Sequence, residues 1–277
     1  TFFSSLPIIK HRYPDFDITN EDWMAEKTIE VADEVQDFIN KSYDIYGKRF
    51  HNVDKHRFDI KQENVAKAGL WIAKKRYAQW IINVEGHTVS KLDVKGLDVV
   101  RSSFPPAFRK FMAEVLEDIL NDIDKVELDD KILKFKDHIK SLDLIDVMFP
   151  IGVKNVKKYT KKGDEPFTPR MKGTPVHVKA ALNYNDMLRH HKIRTIRGMI
   201  NGEKIKWTYL KNNPMSLDTM ALKGYEDPDV LRKFVESYID YNKVFKSAFA
   251  NKLNDFYAAL GWGQIPENNN LGKFFAF

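Results

Sequence analysis

Apolar positions recur at helical spacing over residues 19 to 46, where Val31, Val35, Phe38, Ile39 and Ile45 fall on one face. Thr19 with Asp22 makes a start resembling a capping box, and Gly47 is a suitable stop. From Gly69 the period changes. GLWIAKKRYAQWIINVEGHTVSKLDVKG is rich in Trp, Ile, Val and Tyr and predicts a β-ribbon over about 70 to 95, with Glu85 and Gly86 as a turn. A boundary follows near Gly96. Ser102 and Ser103 are candidate caps for the next helix, and Pro105 and Pro106 suit its first turn. Its apolar stripe is Phe108, Phe111, Met112, Val115, Leu116, Ile119 and Leu120. The acidic run from Asp118 to Asp130 reads as a solvated face, and a second amphipathic helix is predicted over 130 to 141.

Residues 146 to 172 read as irregular and basic. Lys154, Lys157, Lys158, Lys161, Lys162, Arg170 and Lys172 face only Asp164 and Glu165 in opposition. Short strands are predicted at 175 to 182 and 203 to 210. Between them lies a second basic stretch with Arg189, Lys192, Arg194 and Arg197. Pro228 opens a predicted long helix with Leu231, Phe234, Val235, Tyr238, Ile239, Phe245 and Phe249 on its core face. The chain ends in PENNNLGKFFAF, a polar spacer followed by aromatic residues, and no internal repeat is visible. The pattern as a whole predicts an α+β architecture, with a helix behind a sheet over residues 1–95 and a mainly helical region with a small β element over 96–262. Residues 263–277 form a tail.

Composition narrows the function classes. With 277 residues, 43% hydrophobic and 13% aromatic, the chain can bury one large core or two medium ones. No window approaches the roughly 18 continuous apolar residues of a membrane span. TFFSSLPIIKHRYPD has no basic start, no long apolar core and no small-residue cleavage site, so no signal peptide is expected there, and the lack of cysteine fits an expected cytoplasmic location. The absence of cysteine excludes disulfides, thiol catalysis and Cys-based zinc sites. A net charge of +6 and a pI of about 9.1 point to a polyanionic partner, most simply nucleic acid. His190 and His191 are adjacent and cannot face one metal from a regular element. Asp143 and Asp146 read as a helix end or a loop. Neither a Gly-rich phosphate loop nor a nucleophile elbow occurs.

The most informative segment is Lys74, Lys75, Arg76 and Tyr77. Three cations with one aromatic in a β-ribbon suit a duplex, because Lys and Arg neutralise phosphates and Tyr packs on a sugar or donates to a phosphate. A solvated charged strand is the alternative reading of the same residues. GLWIAKKRYAQWIINVEG followed by KGLDVVRSSFPPAF resembles the stretch joining palm to thumb in B-family DNA polymerases, particularly the replicative enzymes of large tailed phages (myoviruses). The resemblance implies that Lys74, Lys75, Arg76 and Tyr77 lie against the primer strand near its end. It implies that Lys95, Gly96, Arg101, Ser102 and Ser103 hold primer phosphates. FPIGVKNVKKYTKKG resembles the thumb segment that tracks the primer backbone, which points to Lys154, Asn155, Lys158, Tyr159 and Lys161; for each lysine a solvated loop is the alternative. GTPVHVKAALNYN and EKIKWTYLKNNP resemble the thumb's small β element. GKFFAF resembles the terminal peptide by which such polymerases hold the sliding clamp, with Leu271, Phe274, Phe275 and Phe277 as the anchor, against the alternative of a strand docked on this chain's own core.

The resemblance divides the chain into the C-terminal part of a palm (1–95), a thumb (96–262) and a spacer with a clamp-binding tail (263–277). It assigns no catalytic residue and no metal ligand here. The family's metal-binding aspartates lie in Ser-Leu-Tyr-Pro-Ser and Tyr-Gly-Asp-Thr-Asp-Ser motifs, and neither occurs in this sequence. Mg2+ and the carboxylates that hold it are therefore expected on an N-terminal part carrying exonuclease, fingers and catalytic palm. TFFSSLPII resembles the strand following the second motif, which leaves a sheet edge over residues 1 to 10. That placement of Thr1 leaves open a split gene, an intein or a cut chain. The expected function is DNA-directed DNA synthesis performed jointly with the N-terminal part. This chain would grip primer-template duplex and bind the clamp, and would be inactive alone. The rival is a stand-alone basic nucleic-acid-binding protein, and a second rival is a structural protein that only binds the clamp.

Overall fold

The computed structural model describes residues 2–58, 60–160 and 165–266, and the chain divides between Lys95 and Gly96 into two units. The first begins with a short helix, α1 (Leu6–Arg12), whose Pro7 sits in the first turn, where a missing N–H costs nothing. Ile9 is fully buried, and the Ser5 hydroxyl bonds that of Thr28 at 3.0 Å. Residues 6–12 are thus helical rather than a sheet edge, because the Ser5–Leu6–Pro7 start favours a helix over a strand. They favour neither a polymerase part nor a stand-alone binding protein.

Helix α2 spans Glu21–His51. Its cap is Asn20, whose side chain accepts the Trp23 N–H at 3.1 Å, not Thr19. Thr19 is instead tied to Asp17. Gly47 does not end the helix. Asn52 takes the left-handed cap conformation at φ 52°, and the Gly47 carbonyl accepts the Val53 amide at 3.2 Å where the chain turns back. Of the expected apolar face Val31 is buried, whereas Phe38 is 71% and Ile45 68% exposed. Then follow β1 (Asn64–Ala73), β2 (Arg76–Val84) and β3 (His87–Lys95), an antiparallel meander in the order β1-β2-β3 with α2 against β1. Glu85 and Gly86, both at positive φ, make the second turn, as expected.

The second unit opens with α3 (Pro106–Leu120), capped by Pro105; Ser102 and Ser103 lie in the preceding turn and cap nothing. All seven stripe residues of α3 are buried. Helix α4 (Lys125–His138) starts earlier than the pattern implied, because Asp124 accepts the Val126 and Glu127 amides. A short α5 (Leu144–Val147) precedes β4 (Phe149–Gly152). GTPVHVKAALNYN is helical, not a strand. Pro175 caps α6 (Val176–His190), and the alternating PVHV start is overridden by Ala180, Ala181, Leu182, Tyr184, Met187 and Leu188, all buried at helical spacing. Strands β5 (Lys204–Tyr209) and β6 (Thr219–Leu222) complete a second antiparallel sheet with β4.

The expected long C-terminal helix is broken. It forms α7 (Asp229–Tyr238), α8 (Tyr241–Phe245), a π turn at Lys246–Ala250, and α9 (Asn251–Ala259). The break lies at Ile239, whose extended backbone bridges Leu210. Lys211 donates to the Tyr238 carbonyl at 2.7 Å, and Asp240 to that of Tyr209 at 3.0 Å. The core joins Phe108, Phe111, Phe135, Phe245 and Phe249. Phe111 and Phe135 stack at 3.8 Å, and Phe108 meets Phe135 edge-on at 5.5 Å. The architecture is α+β, as the pattern predicts. Replacing fully buried Phe108 by Ala should lower unfolding stability by about 3–5 kcal/mol in a denaturant titration, and a loss under about 1 kcal/mol would contradict its central place.

Candidate nucleic-acid interface

Each unit presents its own cationic element. In the first, β1 and β2 pair Trp71 with Tyr77 and Ala73 with Arg76, which leaves Lys74 and Lys75 as a two-residue turn. The expectation placed both lysines within the β-ribbon without marking a turn there. They stand instead at a hairpin tip, with Lys75 at φ 63°, and both are exposed. Neither makes an ion pair among the described residues. Arg76 is half-buried at the start of β2.

Tyr77 lies in the central strand, opposite Trp71 on one side and Lys95 on the other. Its half-buried ring meets Phe2 edge-on at 5.3 Å, and Phe2 meets Trp71 at 5.5 Å. Trp71 is 48% exposed. It lies over Gly69, where any Cβ would overlap its six-membered ring. Two residues beyond Tyr77, Gln79 stands opposite Asp93 and donates to it at 3.3 Å. Lys95 differs from the turn lysines, because Asp93 holds it at 3.0 Å and raises its pKa above the ordinary lysine value through that hydrogen bond. The structure therefore brings Lys74, Lys75, Arg76, Tyr77 and Lys95 onto one hairpin end and adds two aromatics, Trp71 and Phe2, that the sequence pattern did not single out. A two-residue turn at Lys74–Lys75 alone would set Ile72 opposite Tyr77; the register shift between Trp71 and Ala73 brings Trp71 there instead, and the sequence carries no signal for it.

In the second unit Gly96 has φ 66°. Arg101 is exposed but paired with Asp98 at 3.0 Å, which also meets Lys252 at 3.6 Å. Ser102 and Ser103 are exposed, and their hydroxyls make no hydrogen bond among the described residues. Farther along, Lys154 and Asn155 lead into a tight turn, Val156–Tyr159. Asn155 takes the left-handed conformation at φ 60°, which Asn tolerates better than most residues. Val156 is buried and donates its amide to the Asn201 side chain at 2.6 Å, so the turn is anchored while Lys154 and Lys158 stay exposed. The Lys158 ammonium lies over the ring of half-buried Tyr159 at 5.4 Å. Lys161 lies outside the described residues, as do Leu271, Phe274, Phe275 and Phe277 of the tail.

The segment leading into α6 is held by one buried carboxylate. Asp186 on α6 is 1% exposed and accepts from Arg170, from Arg189 and from the Phe167 amide. Arg170 also reaches the Asn183 side chain at 3.1 Å. Asp186 carries no signal in the sequence, where it is one acid in an otherwise ordinary helix. Among the described residues no group of three or more His, Asp or Glu side chains could hold a metal ion. The described residues therefore offer no carboxylate cluster that fits the Mg2+ implied by the polymerase resemblance. No helix among them is long and apolar enough to cross a membrane.

Residues 21–165, just over half of the chain, match DNA polymerase family B, and the chain belongs to that family. It is 27% identical over 201 residues to the DNA-directed DNA polymerase of Escherichia phage RB69, an overlap covering 69% of this chain and 21% of that protein. It is 25% identical over 189 residues to the DNA-directed DNA polymerase of Enterobacteria phage T4, covering 67% and 20%. Over 95 residues it is 35% identical to the catalytic chain of DNA polymerase alpha from Saccharomyces cerevisiae, covering 34% and 6%. The chain therefore spans about a fifth of the length of the two phage relatives.

Two outcomes test this geometry. Gly69→Val should expel the Trp71 indole and shift the tryptophan emission, with no shift when the same change is made in a Trp71→Phe background; a shift that survives in that background would refute the stacking. Asp186→Ala leaves Arg170, whose side chain is 10% exposed, without its carboxylate. It should cost about 3–5 kcal/mol in denaturant unfolding, whereas a change under about 1 kcal/mol would mean that the carboxylate does not anchor the loop.

Proposed function

We propose that this chain is the duplex-gripping part of a B-family replicative DNA polymerase. Residues 1–95 complete a palm, 96–262 form a thumb, and the tail tethers a sliding clamp. The single observation that carries the reading is the hairpin end of the first unit. It presents two lysines, without ion pairs among the described residues, beside Tyr77 and within the stretch that matches the family. Rigid β pairing fixes where those charges stand, so they meet a phosphate backbone with little ordering cost. The lysines neutralise phosphates near the primer end, and the Tyr77 hydroxyl is available to donate.

Gly96, Arg101, Ser102 and Ser103 fit phosphate contact through an amide, a cation and two hydroxyls. Lys154, Asn155, Lys158 and Tyr159, with Lys161, fit the backbone farther along. Lys95 and Arg101 would exchange an aspartate for a phosphate on binding, so each contributes less net affinity than Lys74 or Lys75. The metals that activate the attacking 3′ oxygen belong to the N-terminal part, so this chain's contribution is to hold and orient the primer. Binding of this kind is sequence-independent and weakens steeply with salt.

The test separates positioning from grip. In the complete polymerase, Lys75→Ala with Tyr77→Ala should reduce primer extension more than it reduces duplex affinity. Equal losses in the two would remove the primer-end assignment. Failure of the unmodified chain to bind duplex in a salt-dependent manner would remove the whole reading.

A further inference from the structure

The basic stretch around Arg194 is not used by the interface described so far. Its backbone is unusually well fixed for a loop. Asn185 on α6 clamps Met199 from both sides, donating to its carbonyl at 3.0 Å and accepting its amide at 2.6 Å. Gly198 lies so close that a Cβ there would stand 2.7 Å from the Asn185 side-chain oxygen. At the other end Ile193 donates to the Leu188 carbonyl at 2.9 Å, and Lys192 turns the chain at φ 54°. Ile193 and Ile196 line a cavity of about 310 Å³ together with Leu182, Leu188 and Thr160. These two side chains anchor the loop, while Lys192, Arg194 and Arg197 are exposed. None of the three has an ion-pair partner among the described residues.

The loop also adjoins the Lys154–Tyr159 turn. Gly202 donates to the Val153 carbonyl at 2.9 Å, Val153 to that of Glu203 at 2.9 Å, and Val156 to the Asn201 side chain at 2.6 Å. Two rigid segments therefore stand side by side, each bearing cations without counter-ions among the described residues: Lys154 and Lys157 on one, Lys192, Arg194 and Arg197 on the other. Confining so many like charges without neutralisation costs stability that a polyanion would return.

We propose that Lys192, Arg194 and Arg197 form a second phosphate-binding strip for duplex DNA, contiguous with the Lys154–Tyr159 turn. This deepens the duplex-gripping reading and rests on it. As a strip of cations alone it is assigned to phosphates, which carry no sequence information. Its contribution is electrostatic and counts phosphates.

Counting supplies the test. The slope of log affinity against log salt for B-DNA is about −0.9 per neutralised phosphate. Changing Lys192, Arg194 and Arg197 together to Gln should make the slope for a blunt duplex shallower by about 2 to 3. The anchoring isoleucines are untouched and like-charge repulsion is relieved, so the unfolding midpoint should not fall. Thr195→Lys, which adds a cation to the same exposed loop, should steepen the slope by about 1. Lys233→Gln on α7 serves as a control and should leave it unchanged. If the unmodified chain binds duplex steeply with salt while the triple variant and Thr195→Lys match its slope, the strip is refuted and the main reading stands. If the triple variant loses affinity only for single strands, the strip binds a different nucleic acid and the proposal is likewise overturned. Loss of all duplex binding by the unmodified chain would sink both.

Discussion

The register of three antiparallel strands governs the first unit. With Lys74 and Lys75 as the turn and the register shifted between Trp71 and Ala73, Trp71 stands opposite Tyr77, and Lys95 lies on the far side of the central strand. A slip of one residue would turn Tyr77 and Gln79 to the opposite face and break the Gln79–Asp93 contact. Gly69 belongs to the same constraint, because only a residue without a side chain lets the Trp71 ring lie down beside Tyr77. Cations at a hairpin tip, with aromatics packed behind them, form a rigid element whose charges are already aimed. That is the property a primer grip requires.

The second unit reaches a similar end by different means. Its cations sit on irregular backbone, which by itself would move. Polar side chains hold that backbone in place: Asn201 takes the Val156 amide, Asn185 clamps Met199, and buried Asp186 gathers Arg170, Arg189 and the Phe167 amide. All three serve loops that border α6 or lie beside it. Of the three only Asp186 is withdrawn from water, and a carboxylate so placed is costly unless fully partnered. It is retained where it fixes a charged loop, while the aromatic core around Phe108 and Phe249 supplies the bulk of the packing.

Local pattern predicted some elements well and others poorly, for physical reasons. The stripe of α3 was fully legible, since seven apolar residues at helical spacing leave no competing arrangement. The Glu85–Gly86 turn was legible from its residue types. The helix at Val176 was not, because its first residues alternate like a strand and the deciding residues lie downstream. The break at Ile239 was invisible, since it depends on a bridge to Leu210, which is distant in sequence. Phe38 and Ile45 fit a core-facing pattern yet are exposed, because periodicity identifies a face without saying what covers it. In the interface, the motif residues were readable from charge and type. The aspartate partners of Lys95 and Arg101, Asp93 and Asp98, were not.

The most direct measurement places a photoreactive group at position 75 and maps its crosslinks on a labelled primer-template. A second version carries the group at Lys41 on α2. Primer-end positioning by the hairpin predicts crosslinks from position 75 confined to the last few base pairs at the primer terminus, with none from position 41. Crosslinks from position 75 spread evenly along the duplex, or equal in yield to those from position 41, would contradict it and leave a basic protein that binds DNA without locating its end.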